Sequence, residues 1–183
     1  MRRLITILFF SIITQLSWAA DKPGQFPAGI VYGPKAAFQI SAPTGWVLDN
    51  YLGLADGLHC VLYPKGQTWA KSPILMYAKI ASPDYPNREN FIKFAIDYFK
   101  KEDPNFSHRI IRQSKTSEGF DYIINEYDRP LYPHYERVIY IQLPDAVAYI
   151  VYNADDPKVR LEYSKAFEEV ISSFRYRPDQ IKK

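Results

Sequence analysis

The sequence predicts an α+β domain: a mainly antiparallel sheet of six to seven strands with a helix on each face. Three observations carry that expectation. Four strand-like segments follow one another between residues 107 and 153, separated by turns and one longer loop. Two amphipathic helical patterns stand apart in the chain, one before that run and one after it. The strands carry apolar side chains on both faces, as they do when both faces of a sheet are covered.

Taken in order, the chain begins with a stretch outside that domain. Arg2 and Arg3 precede a mostly apolar run over residues 4–16, and Ser17 and Ala19 place small residues before a cut at Ala20. This is the pattern of a cleavable signal peptide over residues 1–19. A membrane span needs about 20 apolar residues. This run is shorter and holds Thr6, Ser11, Thr14 and Gln15. The expected protein is therefore secreted or periplasmic, without a stable membrane anchor after cleavage. The signal holds two of the 23 basic residues and none of the 20 acids, so the mature chain carries 21 against 20, a net charge of +1. Nucleic-acid binders show a clustered basic excess, and that class is set aside. Cys60 is the single cysteine, so no internal disulfide staples the fold.

Residues 20–35 read as a Pro/Gly-rich lead-in with a short edge strand at residues 30–32. Residues 36–176 read as one α+β domain, and residues 177–183 as a loose polar tail. Within the domain, residues 36–42 alternate, with Phe38 and Ile40 on one face. A Pro43-Thr44-Gly45 turn leads to Trp46 and a second extended piece. Residues 59–63 form a strand stopped by Pro64-Lys65-Gly66. Residues 74–80 have little polar content and suit a central strand.

Asn87 is a good N-cap, and Phe91, Ala95 and Tyr98, flanked by Ile92, Ile96 and Phe99, give residues 88–101 a wide apolar helical face. Asp103-Pro104 ends that helix. Strands follow at residues 109–115, 120–127, 137–143 and 146–153. In the third, Val138, Tyr140 and Gln142 share a face. In the fourth, Val147, Tyr149 and Val151 do. Asp156 then caps the last helix with Pro157 at its first position. Its buried stripe is Val159, Tyr163, Phe167, Val170, Ile171 and Phe174.

Two of these features together resemble a known fold. An early strand ends in a Pro-x-Gly-Trp turn (FQISAPTGW), and a late strand, turn and helix ends in Phe-x-x-x-Ile-x-x-Phe, with Phe167, Ile171 and Phe174. The pair resembles the PsbP-like superfamily, α/β/α sandwiches that include an extrinsic photosystem II protein, a Ran-GTPase-binding import factor and many small exported bacterial proteins. The resemblance implies the shape and, by analogy with members that act as binding or accessory proteins, a non-catalytic role. It brings over no catalytic residue and no photosynthetic role.

No catalytic constellation stands out, and no cofactor is indicated. His59, His108 and His134 lack ligand spacing. His59 and Cys60 are neighbours on an expected strand and so face opposite ways. Cys60 sits among apolar residues and reads as a small core hydrophobe. Gly-x-Ser-x-Gly and phosphate-cradling glycine loops are absent from the sequence. The best candidate for contact is the loop over residues 127–135, read as longer than a hairpin requires. It offers Arg129, Tyr132, His134 and Tyr135 around two prolines, Pro130 and Pro133, with Trp69 and Trp46 as a second aromatic surface. Aromatic and Arg side chains favour contact roles, while the competing account is that the rings only lid the sheet edge. The expectation is an exported binding or accessory module for an unknown protein or small-molecule partner. The alternatives are a hydrolase pairing His134 with Asp128 or Glu136, and a metal-binding module on the same loop. The weight of the sequence is against an enzyme.

Overall fold

The structure, a computed structural model, describes residues 25–131 and 134–181. The signal-peptide pattern at residues 1–19 lies outside the described residues. Among those described, no helix is long and apolar enough to cross a membrane.

Eleven strands run along the described chain: β1 Gln25–Phe26, β2 Ala28–Tyr32, β3 Ala37–Ser41, β4 Trp46–Asp49, β5 Val61–Pro64, β6 Ile74–Ile80, β7 Ser107–Lys115, β8 Asp121–Arg129, β9 His134–Gln142, β10 Val147–Ala154 and β11 Arg175–Tyr176. The helices are α1 Arg88–Glu102, α2 Pro157–Glu162 and α3 Ser164–Ser173. Eight strands form one sheet in the order β1-β4-β5-β6-β10-β9-β8-β7, every ladder antiparallel. A second sheet runs β11-β3-β2. The fold class is thus α+β with a large antiparallel sheet.

Two expectations are corrected. The large sheet has eight strands, not six to seven, and the layers are not one helix per face. One face carries α1. The other carries α2, α3 and the small sheet, packed around Phe38, Ile40, Met76, Ile139, Ile150 and Phe167. Partners remote in sequence make the difference. Two residues pair Gln25 with Asp49 and Phe26 with Leu48, and such a short strand leaves no periodicity to read. The stretch read as a lead-in therefore carries two strands, and Arg175–Tyr176 pairs with Gln39 and Phe38.

The last helix is broken. Tyr163, at φ −94° and ψ 11°, separates α2 from α3, and its ring meets Trp46 edge-on at 5.8 Å. Asp156 caps α2 as its sequence indicates, accepting from Lys158 N at 2.7 Å. The predicted stripe is in the core: Phe167, Val170, Ile171 and Phe174 are buried, with Val159 and Tyr163 partly so. Each such side chain contributes about 1.5–3 kcal/mol when removed from water. Strand β7 is an exposed edge, and it carries Arg109, Arg112 and Lys115 and a bulge between Ile110 and Arg112, features that discourage pairing with another chain. Of the neighbours His59 and Cys60, His59 is exposed and precedes β5, while Cys60 is buried in the core.

Candidate functional site

Helix α1 is tied down at both ends. At its start, Gln142 Oε1 accepts from Arg88 N at 2.8 Å, and Gln142 Nε2 donates to Pro86 O at 3.0 Å. Asn87 caps the first turn by accepting from Asn90 N at 3.1 Å. At its end, the buried Asp103 carboxylate accepts from Asn105 N and Leu131 N, each at 2.9 Å. That last bond ties the β8–β9 connection to the helix terminus.

Between the two ties the helix packs on the sheet through Phe91, Ile92, Ile96 and Phe99, each only partly buried. No α1 residue is fully buried, and Phe94 and Tyr98 remain 46% and 51% exposed. Bulk on both sides accounts for this. The helix brings Phe91 and Phe99, and the sheet face opposite brings Tyr77, Tyr140 and Tyr149. The rings meet at steep angles: Phe91 lies edge-on to Tyr140 at 5.8 Å and tilted against Tyr149 at 5.1 Å, centroid to centroid. A cleft of about 380 Å³ is left, walled by these rings, Val138 and Val151, with Arg129 and Glu136 also lining it.

Its polar groups are few. The Arg129 guanidinium lies over the Phe99 ring at 4.6 Å, a favourable cation–π geometry. Glu136 is buried and accepts from Asn153 Nδ2 at 3.0 Å. Deeper, the Tyr127 and Tyr140 hydroxyls share a 2.8 Å hydrogen bond, and Asn125 Nδ2 donates to the Tyr127 oxygen at 3.0 Å. Burial pushes the Tyr149 phenol up to about 12. Burial, then the charge of Glu136, pushes Tyr77 up as well, and burial raises Tyr140 well above its ordinary value. These hydroxyls stay protonated at neutral pH. They offer hydrogen bonds and ring faces, not bases.

The candidate residues from the sequence divide. Arg129 lines the cleft. Tyr135 pairs with Asp128 across the hairpin and so sits on the opposite face, where Arg160 lies over its ring at 5.6 Å. Trp69 does not line the cleft, and its indole N–H reaches Asp56 at 3.5 Å. Trp46 is a core residue, not part of an aromatic surface. Tyr132 and the His134 side chain lie outside the described residues. The premise of a long loop is corrected: β8 runs through Arg129 and β9 starts at His134, so only residues 130–133 connect them. Asp128 and Glu136, the two acids considered as partners for His134, lie on opposite faces of the sheet, since Asp128 pairs with Tyr135 and Glu136 with Tyr127. No group of three His, Cys, Asp or Glu gathers among the described residues.

The sequence reading passed over Tyr77 and the partnership of Tyr140 with Tyr149, which face each other directly in the β9–β10 ladder. The signal was present as tyrosines at strand centres on the Val138/Val151 face. What was missing was the register that stacks them beneath one helix.

No family model matches the chain, and no curated protein does. Among solved structures, it is similar to the solution structure of cyanobacterial PsbP (CyanoP) from Synechocystis sp. PCC 6803, with a TM-score of 0.50 and 12% identity over 86% of this chain and 98% of that one. A crystal structure of a Pseudomonas aeruginosa protein of unknown function matches at a TM-score of 0.36, with 12% identity over 85% and 84% of the two chains. The second score carries no argument. The first shows a PsbP-like fold and, at that identity, the fold alone.

Proposed function

We propose that this chain is an exported binding or accessory module whose recognition element is the aromatic cleft beneath α1, with Arg129 and Glu136 as its charged groups. The observation that carries the reading is the cleft itself: about 380 Å³ of space walled by rings, under a helix that buries none of its own residues completely. A core built only for stability packs such faces to near-crystalline density. Ligand sites, by contrast, are concave, mostly apolar and carry a few placed polar groups, commonly within 300–1,000 Å³. The occupant this lining suits is an apolar or aromatic group of a small molecule or partner side chain, bearing a polar end matched to Arg129 and Glu136. Export rests on the signal-peptide pattern of residues 1–19. The PsbP-like fold supports an accessory role by analogy of shape.

The test is photo-crosslinking in the producing cell, with the crosslinker in place of the exposed Phe94 at the cleft mouth. One discrete adduct is expected, and Arg129→Ala should reduce it at least fivefold. The mass of the adduct distinguishes a small molecule from a protein. Absence of any adduct, or a pattern that Arg129→Ala and Glu136→Gln leave unchanged, overturns the reading.

A further inference from the structure

On the opposite face, three guanidiniums converge on one buried carboxylate. Glu126, in β8, is 8% exposed. Arg109 of β7 donates to its Oε1 through Nε at 3.0 Å and Nη2 at 2.6 Å. Arg137 of β9 donates to Oε2 through Nε at 2.8 Å, and Arg160 Nη1 of α2 lies 3.1 Å from the same oxygen. A guanidinium carries about five N–H donors, and Glu126 takes at most two from any one of them. Most of the donor capacity is left for other acceptors.

The charges do not balance. Glu126 and Asp128 are two acids against three arginines. The side chains of Arg137 and Arg160 are only 23% and 14% exposed, so water screens their mutual repulsion poorly. Burial pushes Arg160 below its ordinary value. Glu126 opposes that, while the charges of Arg137 and Arg109 add to it. Stability alone does not call for the arrangement, because apolar side chains of similar volume hold such a position as well or better. Tyr152 donates from its hydroxyl to the Arg160 carbonyl at 2.5 Å. The Tyr135 ring flanks the Arg160 guanidinium at 5.6 Å. Arg160 is thus held in place, not swinging in solvent. Beside the cluster opens a second hollow of about 270 Å³, lined by Arg109, Arg160, Tyr135, Glu126 and Asp128 among others.

We infer that this hollow is an oxyanion site that takes a phosphate group, bound by Arg109 and Arg160 and kept in register by Glu126 with Arg137 behind it. The planar forks of arginine suit such recognition. A bound phosphate supplies the negative charge that the cluster lacks. Glu126 sets the spacing of the guanidiniums before the ligand arrives and prevents their mutual repulsion from splaying them. This site lies across the sheet from the α1 cleft and stands independently of that reading.

The experiment is an NMR titration of the ¹⁵N-labelled protein with inorganic phosphate at pH 7 and fixed ionic strength, with chloride as the control. Saturable shifts are expected at Arg109, Tyr135 and Arg160. Arg109→Gln and Arg160→Gln should each weaken the apparent affinity at least fivefold. Arg109 is 71% exposed, so its variant folds and carries the test even if the Arg160 variant does not. Flotation with phosphatidylglycerol vesicles, against phosphatidylcholine vesicles, separates the sources. Retention on the anionic vesicles that Arg109→Gln abolishes assigns a lipid headgroup. Phosphate binding without retention assigns a soluble phosphate compound. The inference is overturned if neither is seen, or if the shifts match those with chloride or persist unchanged in Arg109→Gln.

Discussion

Replacing Glu126 with glutamine removes one charge and almost no volume. Three guanidiniums then face an amide. The amide oxygen accepts from one or two of the present donors, while the amide nitrogen presents donors to the others. The Arg109 contact is at a mostly exposed side chain and counts for little, about 0.2–1 kcal/mol. The Arg137 and Arg160 contacts are shielded, and hydrogen bonds to charged groups contribute about 1.5–3 kcal/mol each. Allowing for what the amide retains, the expected loss is about 3–4 kcal/mol, within the range for breaking a buried ion pair. For a chain of this size that lowers Tm by roughly 6–16 °C. The assay is urea unfolding at pH 7, followed by fluorescence of the tryptophans.

The pH dependence gives a second readout. Burial alone would raise the Glu126 carboxyl, but hydrogen bonds from Arg109 and Arg137 and the charge of Arg160 outweigh it and hold the group below its ordinary value of 4.5. A carboxylate depressed in the folded state contributes its stability above the unfolded value and loses it as pH falls through the folded one. The wild type should therefore lose stability below about pH 4.5 with a component that the glutamine variant lacks. In an Arg160→Ala background the substitution should cost measurably less, because the two groups couple. A loss under 1 kcal/mol, with an unchanged acid limb, would refute the view that Glu126 holds the cluster together.

Three further outcomes follow from the packing. Phe167 is 1% exposed and stacks on Tyr152 at 4.9 Å, so Phe167→Ala should cost about 3–5 kcal/mol in urea unfolding. Burial pushes the Cys60 thiol up to about 12, so a thiol reagent at pH 8 should label it only after unfolding. Stoichiometric labelling of the native protein within minutes would contradict its place in the core. Removing the α1 cap by Asn87→Ala should cost about 1 kcal/mol. Hydrogen exchange should quicken first in the opening turn of α1, with the four-strand meander unchanged.

Much of this fold was legible because strand and helix periodicities are local. The four-strand meander forms as its turns indicate, with Thr116–Gly119 and Leu143–Ala146 closed by backbone hydrogen bonds of 2.9 Å each. Asn87 and Asp156 act as caps, and Pro157 opens its helix, where simple spacing puts them. The readings that failed concern where an element ends or what lies over it. The β8–β9 connection looked long because Asp128 disfavours strands and Pro130 and Pro133 punctuate the stretch. Pairing of Asp128 with Tyr135 and of Arg129 with His134 carries the ladder through to the hairpin tip. Arg129, chosen from that wrong premise, lines the cleft beneath α1. Tyr135, chosen with it, belongs to the other face because side chains alternate along a strand.

By itself the sequence determined the α+β class, the four-strand meander, the capped helices and the apolar stripe of the last helix, since each depends on neighbours within a few residues. Tertiary structure alone decided the eighth strand at Gln25–Phe26, the second sheet, the cleft beneath α1 and the meeting of Arg109, Arg137 and Arg160 at Glu126. Those depend on register and on how a helix packs on its sheet. Both are set by contacts between residues distant in the chain, and no window along it contains them.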